Sequence, residues 1–99
     1  ADRIVEVISR CAGTSWMFEN RGAHVVNGDY LPHSAINIWL KDLGIVLDVA
    51  KGSQFSAPLA ASALQQFVAA AGQGFCAEGD AAIAKVYAHN AGIKLPKAS

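Results

Sequence analysis

Apolar and polar residues recur along this chain with the three-and-four beat of helices, and no segment shows the every-second-residue rhythm of a half-buried strand. Ile4, Val5, Val7 and Ile8 stand among Asp2, Arg3, Glu6, Ser9 and Arg10, which predicts a first helix ending near Gly13. Ser15 is placed to cap a second, short helix, with Trp16, Met17 and Phe18 as its apolar side and Glu19 near its positive end. Asn27, Gly28 and Asp29 then mark a turn. Pro32 and Ser34 open the most informative element, a helix from about Ser34 to Lys51 that Gly52 is placed to cap.

With residues set about 100° apart around that helix, Asn37, Lys41, Gly44 and Asp48 share one narrow polar stripe. Ile36, Trp39, Leu40, Leu43, Leu47 and Ala50 cover a broad sector beside it, and Ile38, Ile45, Val46 and Val49 cover the remainder. A helix that is apolar almost all round belongs at the centre of its domain. Asp42 breaks the pattern by emerging among Ile38, Ile45, Val46 and Val49. A carboxylate there calls for a cation or several donors from another element, and a structural hydrogen bond to a loop would meet that need as well as a functional site would.

Ser56, Ala57 and Pro58 start a further helix to about Gly72, whose alanines at 60, 61, 63, 69, 70 and 71 permit close packing, with Leu59, Leu64, Phe67 and Val68 as its bulk. Asp80 is placed to cap a last helix with Ile83, Val86 and Tyr87 as its buried side, and the tail from Ile93 to Ser99 is expected to fray. The predicted fold is all-α, a compact helical domain over residues 1–99 with about four to five helices around the central one at ~34–51. No internal repeat is visible and no GxGxxG follows a strand, so no dinucleotide-binding Rossmann unit is expected in this chain.

Composition changes that picture in one respect. Of the 99 residues 53% are hydrophobic and 16% charged, against about 45–50% and about 25% in soluble domains generally. A domain of this size buries only about 60–65% of its unfolded surface. There is more apolar surface than one small core uses, and the excess is expected to face a missing domain or a second copy of the chain. Eight basic residues offset eight acidic ones, and no Lys/Arg run interleaves with aromatics, so neither nucleic acid nor an acidic membrane is an expected partner. No apolar stretch reaches the roughly 20 residues of a membrane span, and the early Asp2 and Glu6 do not fit a signal peptide; the expected location is cytoplasmic. The chain begins at Ala1 and its only methionine is Met17, which leans toward a piece of a longer protein, although removal of an initiator Met before Ala gives the same start. Cys11 and Cys76 lack CxxC spacing and are expected to be free core thiols.

Among candidate sites, Lys41 and Asp42 come first. Lys41 shares a stripe with Asn37, and Gly44 leaves room for a ligand or backbone to approach, although a solvated helix face has the same pattern. Ser15, Glu19, Asn20 and Arg21 crowd around Trp16, Met17 and Phe18, as the rim of a pocket or a capped interface helix would. His24, His33 and His89 lack metal-ligand spacing, and no Ser or Cys is paired with a His in a nucleophile motif, so no metal site is expected.

The stretch SWMFENRGAHVVNGDYLPHSAINIWLKDLGIVLDVAKGSQFSAPLAASAL resembles the C-terminal helical domain of the β-hydroxyacid dehydrogenases, the family of 3-hydroxyisobutyrate dehydrogenase and tartronate semialdehyde reductase. The resemblance rests on Asp29-Tyr30-x-Pro32 followed by Lys41-Asp42-Leu43 and an apolar helix, and SWMFENR, PHSA and KDLGIVLD are most similar to the branch that acts on L-threonate. It covers nearly the whole chain. It implies the later part of the C-terminal domain of a 6-phosphogluconate-dehydrogenase-like enzyme, preceded by a Rossmann domain, with chemistry in the cleft between the two. It also implies that the helical domain builds the subunit interface of a dimer or tetramer.

The family's catalytic lysine, in a G-x-x-G-x-x-x-K-x-x-N motif, has no counterpart here. The resemblance therefore places no catalytic residue in this chain and implies that it neither turns over nor binds NAD or NADP tightly alone. Lys41 matches the lysine that reaches the cofactor, and Asp42 the aspartate that orders the substrate side, where Asn37 and Ser34 also stand. Ser34 occupies a position, eight before Asp42, that is often aromatic in the family; a polar residue fits a polyhydroxylated acid. The implied reaction is hydride transfer from L-threonate to NAD. On the same fold, 3-hydroxyisobutyrate, tartronate semialdehyde/D-glycerate or another β-hydroxyacid is the alternative substrate. A non-catalytic helical dimerisation module is the alternative of another class, and a GxGxxG strand-turn-helix encoded upstream of Ala1 would decide for the enzyme.

Overall fold

A computed structural model describes residues 2–97, so Ala1 and the end of the predicted tail, Ala98 and Ser99, lie outside the described residues. The described elements are α1 (Asp2–Ile8), α2 (Trp16–Asn27), α3 (Ile36–Gly52), α4 (Pro58–Gly72), a 3-10 turn (Asp80–Ile83) and α5 (Ala84–Ala91). The all-helical expectation holds among the described residues, where extended backbone pairs only at an isolated antiparallel bridge between Ala35 and Gly79. No helix there is long and apolar enough to cross a membrane.

The helix ends follow from local chemistry. The Ser15 hydroxyl accepts a hydrogen bond from the Phe18 N–H at 2.9 Å, as a cap should, but α2 runs on to Asn27 and is longer than the short helix expected. Gly28 ends it in the left-handed conformation at φ 63, with the Asp29 N–H donating to the His24 carbonyl at 2.9 Å. Gly74 and Gly92 close α4 and α5 in the same way, at φ 92 and 67. Helix α3 departs from expectation at both ends. Gly52 stays helical, and the left-handed residue is Gln54 at φ 54, so the Phe55 N–H donates to Ala50 O and the Gln54 N–H to Lys51 O. At its start the cap residue is Ala35, not Ser34. No side chain caps it: the Ile36 and Asn37 N–H groups donate to the carbonyls of Glu78 (3.0 Å) and Cys76 (3.1 Å), from a loop far along the chain.

The core is small. Ile36, Ala70, Ala82 and Val86 are fully buried, with Tyr30, Phe67, Phe75 and Ile83 packed around them. Trp39 of α3 stacks on Phe67 of α4 at 5.9 Å between centroids. Three expectations of burial fail. Tyr87 is exposed, because α5 presents Val86 and Ala88 inward instead. Ile38, Ile45, Val46 and Val49 are all exposed, because α4 and the 3-10 turn cover only the opposite side of α3. Cys11 is a free thiol as expected but exposed, its Sγ donating to the Val7 carbonyl; Cys76 is free and half-buried. Helix α1 stops at Ile8, short of Gly13, and the irregular segment after α5 keeps Leu95 and Pro96 half-buried where fraying was expected.

Candidate functional site

The residues singled out in the sequence lie on the first half of α3 and its lead-in. That lead-in is laced to the loop before the 3-10 turn. The Gly79 N–H donates to Tyr30 O at 2.8 Å and the Asp80 N–H to Ser34 O at 2.7 Å, beside the two bonds from Ile36 and Asn37. Gly79 has no room for a side chain, since a Cβ there would meet Leu31 O at 2.5 Å. The strip is thus displayed on a fixed platform whose rigidity comes from backbone bonds.

On this platform Asn37, Lys41 and Asp42 are exposed and Ser34 is half-buried. Lys41 is 70% exposed and, among the described residues, pairs only with its neighbour Asp42, at 3.8 Å. The cation or donors expected for Asp42 from another element are not there, because the apolar side chains around it are themselves uncovered and the carboxylate keeps its water. Gly44 faces open space. The structure therefore gathers Ser34, Asn37, Lys41 and Asp42 on one end of α3, and none of them lines the main apolar cavity.

The cavity lies elsewhere. About 570 Å³ of mainly apolar space opens between α1 and α2 on one side and α3, α4 and the 3-10 turn on the other, walled by residues such as Val5, Phe18, Val25, Leu43 and Phe67. The most deeply buried of its polar lining residues is Asp80, only 7% exposed. The cap assigned to Asp80 from the sequence is not formed; Gly79 holds that position, and the carboxylate turns inward. There it accepts from Arg21 Nε at 2.6 Å and from Trp39 Nε1 at 3.0 Å. With both oxygens engaged, Asp80 ties α2 to α3 and is not free to move protons. Of the cluster around Trp16, Ser15 and Arg21 reach this cavity while Glu19 and Asn20 lie outside it, and Glu19 instead accepts from the Thr14 hydroxyl at 3.0 Å.

Two further groups went unread in the sequence. Lys85 bonds Glu78 and lies over the Tyr30 ring at 4.4 Å, while burial, and after it the Glu78 charge, raises the Tyr30 phenol above its ordinary 10.0. His24 and His33, which have no ligand spacing along the chain, come together beside Asp29 because the turn at Gly28 folds the lead-in back against α2. Only the three-dimensional turn makes that grouping visible.

Residues 1–87 match the family model described as NAD-binding of NADP-dependent 3-hydroxyisobutyrate dehydrogenase. The chain belongs to this family. It is 50% identical over 97 residues to L-threonate dehydrogenase from Escherichia coli (strain K12), covering 98% of this chain and 31% of that protein. It is 49% identical over 96 residues to L-threonate dehydrogenase from Pectobacterium atrosepticum, again covering 31% of the relative. A crystal structure of 3-hydroxyisobutyrate dehydrogenase from Salmonella typhimurium superposes with a TM-score of 0.84 at 49% identity, over 86% of this chain and 30% of that one. The chain spans about a third of the length of the relatives it matches, and corresponds to their C-terminal NAD-binding domain.

Proposed function

We propose that this chain is the substrate and dimerisation domain of an NAD(P)-dependent 3-hydroxyacid oxidoreductase that oxidises L-threonate, completed by an N-terminal Rossmann domain and working in the cytoplasm. The observation that carries the reading is the end of α3: a free lysine, a carboxylate and an amide displayed on a fixed backbone platform, on a helix whose apolar flank is bare. That is the form of one wall of a cleft whose other wall is a second domain. The L-threonate dehydrogenases at about half identity over nearly the whole chain support the substrate.

The exposed Lys41 ammonium, held among the described residues by no partner other than Asp42, fits an anionic group of the dinucleotide, and this chain carries no glycine-rich phosphate loop of its own. The nicotinamide, when bound, supplies the hydride acceptor. Lys41 orients it from the helical side; Asp42, Asn37 and Ser34 present oxygen and nitrogen atoms to the hydroxyls of the acid. The chain's contribution is binding and orientation, and proton transfer at the reacting hydroxyl falls to residues outside this chain.

The test is an assay of the full-length protein containing this chain, with NAD and NADP, against L-threonate, 3-hydroxyisobutyrate and D-glycerate. L-Threonate is expected to have the highest kcat/KM, Lys41→Met to raise KM for the dinucleotide by roughly tenfold, and the 99-residue chain alone to show no turnover. Turnover by that chain alone, or indifference of the dinucleotide KM to Lys41→Met, contradicts the assignment. The 49% identity to the Salmonella 3-hydroxyisobutyrate dehydrogenase favours that acid as the second reading, and the same panel separates the two.

A further inference from the structure

Where α2 ends, the left-handed turn at Gly28 reverses the chain and sets Asp29 one hydrogen bond from the carbonyl of His24. The Asp29 Oδ1 atom accepts from the Leu31 N–H at 3.1 Å, which fixes the carboxylate and leaves Oδ2 facing the His24 Nδ1 at 3.3 Å. The chain then carries His33 back until its ring lies 5.0 Å from that of His24, at an interplanar angle of 61°. Two imidazoles and a carboxylate oxygen from three turns of backbone thus converge, with their ligand atoms all within 4.8 Å of one another. We propose that His24, Asp29 and His33 form a binding site for a divalent transition cation of the zinc class.

The chemistry of the set points to that class. Imidazole nitrogens with one carboxylate suit zinc and its neighbours, whereas calcium and magnesium take oxygen ligands almost alone. A tetrahedral ion with bonds of about 2.0–2.2 Å holds its ligands roughly 3.4 Å apart. His24 and Asp29 already stand at 3.3 Å, so closure asks only for a rotation of His33, whose side chain is exposed. The scaffold beneath is held by the bond from the Gly79 N–H to Tyr30 O, so the loop carrying Asp29 does not have to be ordered by the metal. Three protein ligands leave at least one coordination position for water or a ligand oxygen. None of the three ligands is among the residues assigned to the strip around Lys41, although His33 directly precedes Ser34, and a bound ion would staple the end of α2 to the lead-in of α3.

The experiment is a Zn²⁺ titration of the purified protein followed by the long-range ¹H–¹⁵N resonances of its imidazoles. The chain has three histidines, so His89 serves as an internal control. His24 and His33 are expected to shift together and saturate at one ion per chain while His89 stays in place. His33→Gln and Asp29→Asn should each weaken binding by roughly tenfold or more; the first changes an exposed side chain and the second keeps the oxygen that Leu31 needs, so neither unfolds the protein. A Cys11→Ser/Cys76→Ser variant should bind zinc unchanged. The proposal is overturned by a titration that does not saturate, by equal movement of His89, by indifference to His33→Gln, or by loss of binding with the thiols.

Discussion

At the scale of the residue, the most consequential side chain is Asp80. Its carboxylate sits at 7% exposure between Arg21 Nε and Trp39 Nε1, so removing it leaves a guanidinium and an indole N–H facing an apolar cavity. Breaking a buried pair from one side costs about 3–5 kcal/mol. Asp80→Ala is expected to lower the urea unfolding free energy by about 3 kcal/mol, and Asp80→Asn, which keeps an oxygen for Trp39, by less. Equal small losses for both would mean that water reaches the pair. Tyr30 makes the opposite case. Its hydroxyl is buried with no hydrogen-bond partner among the described residues, while its ring packs on the core and under Lys85. Tyr30→Phe keeps the ring and removes the orphan, so it should raise stability by about 1 kcal/mol, and a loss of that size in the same urea measurement would contradict it. Neither role was legible in the chain. Asp80 precedes a run of alanines and reads as a cap, and its real partners stand 59 and 41 residues away.

At the scale of the element, the sequence was readable wherever the signal was local. Ser15 caps α2, Gly28 ends it, and Pro58 opens α4, each through bonds or dihedrals that a residue makes with its near neighbours. It misled where a local signal had a rival: at the end of α3 both Gly52 and the residues after it were able to take the turn, and Gln54 does so at φ 54. A side chain with a Cβ pays about 1–2 kcal/mol in that conformation, so Gln54→Gly is expected to raise the thermal midpoint, and a lowered midpoint would mean that the Gln54 side chain is making a contact. Gly79→Ala should do the reverse, because its Cβ would lie 2.5 Å from a backbone oxygen that has nowhere to go. About 2 kcal/mol of lost stability is expected from that overpacking, together with loss of the amide protection of Gly79, Ile36 and Asn37 in hydrogen exchange. The candidate strip was legible as a grouping, since Asn37, Lys41 and Asp42 ride on one well-predicted helix. What covers it was not. Periodicity shows that α3 has two apolar sectors but carries no information on which of them this chain itself buries.

At the scale of the whole molecule, the surface settles how that question is to be asked. The accessible area is 6686 Å², where a monomer of 10.3 kDa ordinarily has about 5400 Å². The radius of gyration is 14.5 Å against about 13 Å for a domain of this length. The excess of roughly 1300 Å² exceeds the ~800 Å² that one partner contributes to a standard interface, and it includes large apolar groups such as Val49, Phe55 and Leu59, exposed by 64%, 72% and 86%. These three cluster around the connection from α3 to α4, along the chain from the Lys41 end of α3, so covering them with a second copy leaves the candidate strip free. The purified chain is therefore expected to sediment as a dimer or larger species at micromolar concentration. Val49→Lys combined with Leu59→Lys should shift it to the monomer. Both side chains are already solvated in the single chain, so the far-UV spectrum should barely move, while the unfolding midpoint should fall by the part that association contributes and lose its dependence on concentration. A wild-type chain that sediments as a folded monomer at every concentration would show that a different domain, rather than a second copy, covers this surface. Dissociation accompanied by unfolding would show instead that the single chain does not hold its small core without its neighbour.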